Sequence, residues 1–299
     1  MLRRPVFASL ACMILAVPSL AQLSPSASWA VDLANRYRVA PNVTYHTVDG
    51  VELKMDVYAR RDVQTPQPTL VFMHGGFWVA GNKEGSLLSL IPWLEMGWNV
   101  VNVEYRLGPE FLAPAAVQDV FCALRFVASS ADQYNVDVDR LVASGQSAGG
   151  HLALVLGMMP DSAGFADTCP GEATPRVAGV VNWFGVTDVP DVIDGPNRAE
   201  AAARWFGDMP DRIELARRLS PLTYVREGLP PVLTIHGDAD NVVPYDEGVR
   251  LHAALDDIGT PNRLLTIPDG GHGRFSDEQQ REAFVTIREF LETHRLTGR

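Results

Sequence analysis

The chain is poor in cysteine and in positive charge. Three cysteines stand among 299 residues. None lies in a Cys-x-x-Cys pair or any other zinc-ligand spacing, which argues against a zinc site. Lys and Arg total 25 against 36 Asp and Glu, a formal charge of −11. Nucleic acids and anionic membrane surfaces are bound through excess Lys and Arg, so neither is expected as a partner. The fingerprint G-x-G-x-x-G is missing, and with it the case for a dinucleotide loop. No Pro/Gly/Ser linker, internal repeat or charge run divides the chain. One α/β domain can reach ~250 residues, so a single domain over 22–299 is expected.

Long apolar runs are scarce too. The first, broadly residues 5–17, follows Arg3 and Arg4 and precedes small residues ending at Ala21. It is shorter than the ~20 residues of a membrane span. The layout is that of a secretory signal. Export after cleavage near Ala21 is therefore expected, to the periplasm or beyond, with no membrane anchor. Cys12 lies inside the apolar run, which argues against a lipoprotein signal. Cys122 and Cys169 would remain in the mature chain. In an oxidising compartment they are either bridged or separately buried thiols. Both readings stay open.

Shorter apolar, β-branched runs recur at 43–48, 51–58, 69–73, 98–104, 140–144, 177–183, 231–236 and 263–267. Several are nearly continuous, as in strands buried on both faces of a parallel sheet. The first two alternate apolar with polar residues and suit an antiparallel edge. Helical spacing marks 114–131, 246–258 and 277–294, and 149–158 is small and apolar. Strand–helix alternation over this length predicts an α/β fold, a mostly parallel eight-stranded sheet flanked by helices.

Gly145-Gln146-Ser147-Ala148-Gly149 fits G-x-S-x-G where a strand gives way to a helix. Such an elbow pushes a serine Oγ out above the sheet on a sharply turned backbone. Larger side chains two residues either side would collide. A serine hydroxyl needs a base, an acid to orient that base, and donors for an oxyanion. On this scaffold the chain order is Ser, Asp/Glu, His. "HGDADNVVP" supplies Asp238 and Asp240 just past a buried strand. "GGHG" supplies His272 in the loop before the last helix. Elsewhere, His252 reads as a surface residue of an amphipathic helix. The strand–loop corner His74-Gly75-Gly76-Phe77-Trp78 offers backbone N–H groups of Gly76 and Phe77, to act with that of Ala148 as the oxyanion hole. His74 reads as structural, holding that loop by a hydrogen bond. Arg106 and Asp119 are paired as a structural ion bridge beneath the site.

"HGGFW", "GQSAGGH", "HGDADNVVP" and "GGHG", in this order, resemble the α/β-hydrolase superfamily. The esterase/lipase branch is the nearer match, and within it the bacterial feruloyl-esterase-like group called BD-FAE. "EYRLGPEFLAPAAVQDV" adds a resemblance to hormone-sensitive-lipase-like esterases. The likeness runs from about residue 43 to 295. It implies the α/β-hydrolase fold with a short lid-like insertion, here 185–225. It implies a serine carboxylesterase (EC 3.1.1.-) needing no metal or cofactor, acting on a small-molecule or polysaccharide-linked ester. Ser147 would be the nucleophile, His272 the base and Asp240 its partner, since the family pattern selects the second aspartate; Asp238 would brace the loop. Phe77 departs from the third glycine of HGGG, and "EFLAP" departs from the lipase-like spelling. Trp205 and Phe206 of the insertion, with Phe77 and Trp78 opposite, either line the substrate pocket or only pack small helices. An amide or formamide hydrolase with the same triad, and a non-catalytic binding protein of the same fold, are the competing readings.

Overall fold

The computed structural model describes residues 23–171 and 174–297. The expected signal segment, 1–21, lies outside the described residues. Eight strands form one sheet: β1 (Tyr37–Val48), β2 (Val51–Arg60), β3 (Gln67–Met73), β4 (Asn99–Val103), β5 (Val136–Gln146), β6 (Gly179–Trp183), β7 (Val232–Gly237) and β8 (Asn262–Ile267). Their order is β1-β2-β4-β3-β5-β6-β7-β8. Both pairings of β2 are antiparallel; every later pairing is parallel. The alternating strands β1 and β2 take the edge, as their pattern predicts.

The nearly continuous apolar runs become strands covered on both sides. Every residue of β3, β4, β6 and β7 is buried. Successive side chains of a strand point to opposite faces. Thus Val71 and Met73 join one apolar layer, while Leu70 and Phe72 join the other. The first layer is closed by α3 (Ala115–Ser129) and α5 (Ala148–Met158). The second is closed by α2 (Leu87–Glu95) and the last helix, α10 (Asp277–Thr293). The remaining helices are α1 (Pro25–Arg36), α4 (Ala131–Tyr134), α6 (Val189–Ile193), α7 (Glu200–Phe206), α8 (Arg212–Leu219) and α9 (Asp246–Asp257). The long stretch 185–225 holds α6, α7 and α8. Among the described residues no helix is long and apolar enough to cross a membrane.

Two structural expectations resolve here. Cys122 and Cys169 form a disulfide, tying α3 to the segment after α5. Arg106 and Asp119 pair in the interior: the guanidinium donates to both carboxylate oxygens, and the Arg106 N–H adds a bond at 2.8 Å. His252 corrects its expectation. It is 5% exposed rather than on the surface, and its Nδ1 lies 2.5 Å from Asn262 Oδ1. The apolar side of α9 packs on the sheet and takes His252 inward with it.

Candidate active site

The parallel strands all end at one edge, and ligand sites of such sheets form beyond their carboxyl ends. Ser147 follows β5 with φ 56° and ψ −118°. That left-handed backbone is strained for a residue with a Cβ, by roughly 1–3 kcal/mol. Its neighbours have no room for side chains. A Cβ on Gly149 would stand 2.1 Å from the Met73 carbonyl oxygen, and one on Gly75 would stand 2.9 Å from that of Gln146. The glycines therefore let the β3 loop lie directly against the serine turn. Met73 and Gly145 are register partners on adjacent strands, which fixes this contact.

Asp240 lies in the turn after β7, and His272 in the loop between β8 and α10. His272 Nδ1 donates to Asp240 Oδ2 at 2.7 Å. The other oxygen, Oδ1, accepts from the Val242 and Val243 amides at 2.8 and 3.0 Å. Burial alone would favour the neutral acid. Hydrogen bonds from His236, His272 and the Val242 amide outweigh it and hold the carboxyl well below the usual range. The sequence-level selection of Asp240 over Asp238 therefore coincides with the aspartate that touches His272. Asp238 accepts from the Asp269 amide at 2.7 Å and braces the two loops.

With Nδ1 committed to Asp240, the free nitrogen of neutral His272 is Nε2, an acceptor. The side chain is 19% exposed and Ser147 is 7% exposed. Among the described residues His272 makes no hydrogen bond to the Ser147 hydroxyl; in unliganded sites this bond is often long or misaligned. The two residues are instead registered through β6. The Ser147 N–H donates to the Trp183 carbonyl at 2.9 Å. The next residue, Phe184, places its ring 4.6 Å from the His272 ring.

The expected oxyanion donors belong to the loop after β3 and to the first residue of α5, and the β3 loop lies against the serine turn at Gly75. Ala148 opens α5, and a first-turn N–H has no partner inside its helix. Gly76 and Phe77 follow β3 with φ of 128° and 53°. The helix N-terminus adds a favourable dipole for developing negative charge. His74 is structural, as expected: its Nδ1 bonds the Gly75 carbonyl at 2.8 Å, and its ring stacks on Tyr105. Burial pushes its pKa down.

Of the two readings of the aromatic residues, the geometry agrees with packing. Trp78, Trp205 and Phe206 are each 0% exposed. Trp78 stacks on Trp205 at 4.3 Å, and Phe206 packs edge-on to Trp205. They fasten α7 to the β3 loop instead of lining a cleft. A hollow of about 260 Å³ does border the serine turn, on the opposite face, between Gln146, Trp183, Trp93 and Phe284.

Three contributors escaped the sequence reading. His236, at the end of β7, lies with Nε2 3.4 Å from Asp240 Oδ2. Phe184 flanks His272. His151 joins the β3 loop to α5, its Nδ1 accepting from Trp78 Nε1 at 3.1 Å. Phe184 and His151 act through contacts between distant segments, which no spacing along the chain reports, whereas His236 meets Asp240 only four residues on. The positions of His236, beside the acid loop, and of His151, one turn after the serine, were the available signals.

Comparison with known proteins agrees with this architecture. Esterase LipC of Mycobacterium tuberculosis is 29% identical over 232 residues, 73% of this chain and 56% of that protein. A probable carboxylic ester hydrolase of the same organism, LipM, is 32% identical over 202 residues, 64% of this chain and 46% of that one. The chain thus spans about half the length of these two relatives. A truncated carbohydrate esterase from gut microbiota superposes with a TM-score of 0.70 at 27% identity, covering 85% of this chain and 97% of that structure. Thermogutta terrifontis esterase 2, phosphonylated by cyclosarin, superposes with a TM-score of 0.72 at 26% identity, covering 87% and 96%. The fold is that of the α/β-hydrolase esterases. The family profile described as BD-FAE matches residues 55–255, which take in the β3 loop, the serine turn and the Asp240 turn, and the chain belongs to that family.

Proposed function

We propose that this protein is a serine hydrolase of carboxylic esters, exported from the cell, with Ser147, His272 and Asp240 as its triad. The observation that carries the proposal is the 2.7 Å bond from His272 Nδ1 to an ionised Asp240, beside a serine held on a strained elbow. Asp240 fixes the tautomer that leaves His272 Nε2 free to accept a proton. Ser147 Oγ attacks the ester carbonyl while Nε2 takes the hydroxyl proton. The tetrahedral oxyanion is stabilised by the N–H groups of Gly76, Phe77 and Ala148. Each such donor is worth ~3 kcal/mol in the transition state. His272 then protonates the leaving alcohol, and water, deprotonated by the same nitrogen, releases the acid from the acyl-enzyme.

Esters carried by carbohydrate are the favoured substrate class, on the similarity to the carbohydrate esterase above. Export is supported by the signal-like start and by the Cys122–Cys169 disulfide, since such bonds persist in oxidising compartments.

The test is initial rates for the mature protein beside Ser147→Ala. The substrates are p-nitrophenyl acetate, butyrate and octanoate, methyl ferulate, acetylated xylan and N-formylkynurenine. Ester turnover that falls on the order of 10³-fold or more in the variant supports the proposal. Turnover of the formamide alone would remove the esterase assignment. A variant as active as wild type would remove the mechanism.

A further inference from the structure

The oxyanion loop has a mechanical problem. Phe77 and Trp78 are consecutive non-glycine residues with φ of 53° and 59°. Such residues persist only where their surroundings over-determine them. Two of the three proposed donors, Gly76 and Phe77, belong to this loop, whereas the third, Ala148, belongs to α5. The donors stabilise an oxyanion together only if loop and helix hold a fixed spacing.

A buried polar link spans the two. His151 is on α5, 0% exposed. Its N–H bonds the Ser147 carbonyl at 3.0 Å, so it sits one turn above the nucleophile. Its Nδ1 receives the Trp78 indole N–H at 3.1 Å. Its Nε2 lies 2.8 Å from the Leu219 carbonyl at the end of α8. A carbonyl only accepts, so Nε2 carries the proton and Nδ1 must be the acceptor. The lid segment thereby sets the tautomer that Trp78 requires. Burial pushes His151 down to about 4, which keeps the ring neutral and the acceptor available at ordinary pH. The indole is held on its other face by Trp205, and the Trp78 carbonyl accepts from the Gly108 amide at 2.9 Å.

We propose that His151 is a positioning residue for the oxyanion hole: with its tautomer set by the Leu219 carbonyl, it fixes the β3 loop to α5 through the Trp78 indole N–H. The role rests on the hydrolase assignment above. It is distinct from packing, because it depends on one donor and one acceptor and not on the bulk of either ring.

The test uses Trp78→Phe, which removes the indole N–H but keeps an aromatic ring. It is paired with His151→Gln, whose amide NH2 can replace Nε2 at the Leu219 carbonyl but offers no acceptor in the place of Nδ1, and with the double variant. Ser147→Ala is measured in the same p-nitrophenyl acetate assay, and folded fractions are matched by near-ultraviolet circular dichroism. A loop displaced by about 1 Å costs on the order of 10²-fold in rate. The expected result is a kcat at least ~10-fold lower in Trp78→Phe, with KM within about twofold. The double variant should lose no more than the worse single one, because both remove the same bond. If His151→Gln does not fold, the Trp78→Phe split between kcat and KM decides alone. An unchanged kcat in folded Trp78→Phe overturns the proposal, as do losses that multiply in the double variant. Retained activity in Ser147→Ala is a separate failure, that of the hydrolase assignment itself.

Discussion

Asp119→Ala should destabilise the protein far more than it impairs any chemistry. The Asp119 side chain is 1% exposed and that of Arg106 is 10% exposed. Its Oδ1 accepts from Nη2 at 2.7 Å, and both oxygens lie 3.0 Å from Nε. The Arg106 backbone N–H adds a fourth contact at 2.8 Å. Removing the carboxylate leaves a guanidinium and an amide buried without their acceptor. Breaking a buried pair in this way costs about 3–5 kcal/mol, because the surviving charge is left largely shielded from water. For chains of this size each kcal/mol moves Tm by roughly 2–4 °C. The expected fall is therefore about 6–20 °C. Scanning calorimetry of wild type, Asp119→Ala and the double variant Arg106→Leu/Asp119→Leu measures it. The double variant should recover much of the loss, since an apolar pair strands no charge. A Tm within 2 °C of wild type in Asp119→Ala would refute the reasoning.

Cys122→Ser should cost about 4 kcal/mol, from the chain entropy of a loop closed across a separation of 47 residues. Urea unfolding measures this, and two free thiols titrated in unreduced wild-type protein would contradict it. Stability should also fall as pH drops from 6.5 towards 4. His151 is held down to about 4 by burial, and His74 and His252 are lowered by the same cause. Below pH 6.5 the unfolded chain takes up protons that the native rings refuse, so the unfolded state gains. The His151 share is about 3 kcal/mol once pH reaches 4, and the loss levels off below. Urea midpoints that stay constant from pH 7 to 4.5 would sink this account.

Most of the layered fold was legible because both of its periods are strong. Each of the eight apolar runs became a strand, and the helical spacing of Val117, Phe121 and Leu124 became the buried face of α3. The helices that went unread are of two kinds. Helix α1 has no buried residue, so it carries no apolar stripe. Helices α2, α4, α6, α7 and α8 run for only nine, four, five, seven and eight residues, too short for a helical period to show. The proposed acid was narrowed to Asp238 or Asp240, and the proposed base to His272, because on this scaffold they follow particular strands; the family pattern then selected Asp240. The roles of Trp78, Trp205 and Phe206 were not legible. Composition places aromatic rings near the site, but only the stacking at 4.3 Å shows that they meet each other.

Among the described residues, four of the nine non-glycine residues at positive φ lie around the proposed chemistry. Ser147, Phe77, Trp78 and Phe184 all have a Cβ and all lie at positive φ, between 41° and 59°. They follow β5, β3 and β6, three adjacent strands, at the same edge of the sheet. At roughly 1–3 kcal/mol each, such a set costs about as much as a typical domain's whole margin of stability. It is tolerable because β3, β6 and the 141–145 stretch of β5 beneath are buried and cannot move to relieve it. The rigid register of β3, β5 and β6 is thus what lets the loops stay strained. A strained loop would be useful here because N–H groups held in a fixed direction need no reorganisation when charge develops. Easing the strain with glycine at Phe77 would therefore separate the two effects: the fold should hold or gain stability, while kcat falls as the loop N–H loses its fixed direction. A Phe77→Gly variant whose kcat equals that of wild type would show that the left-handed turn serves packing alone.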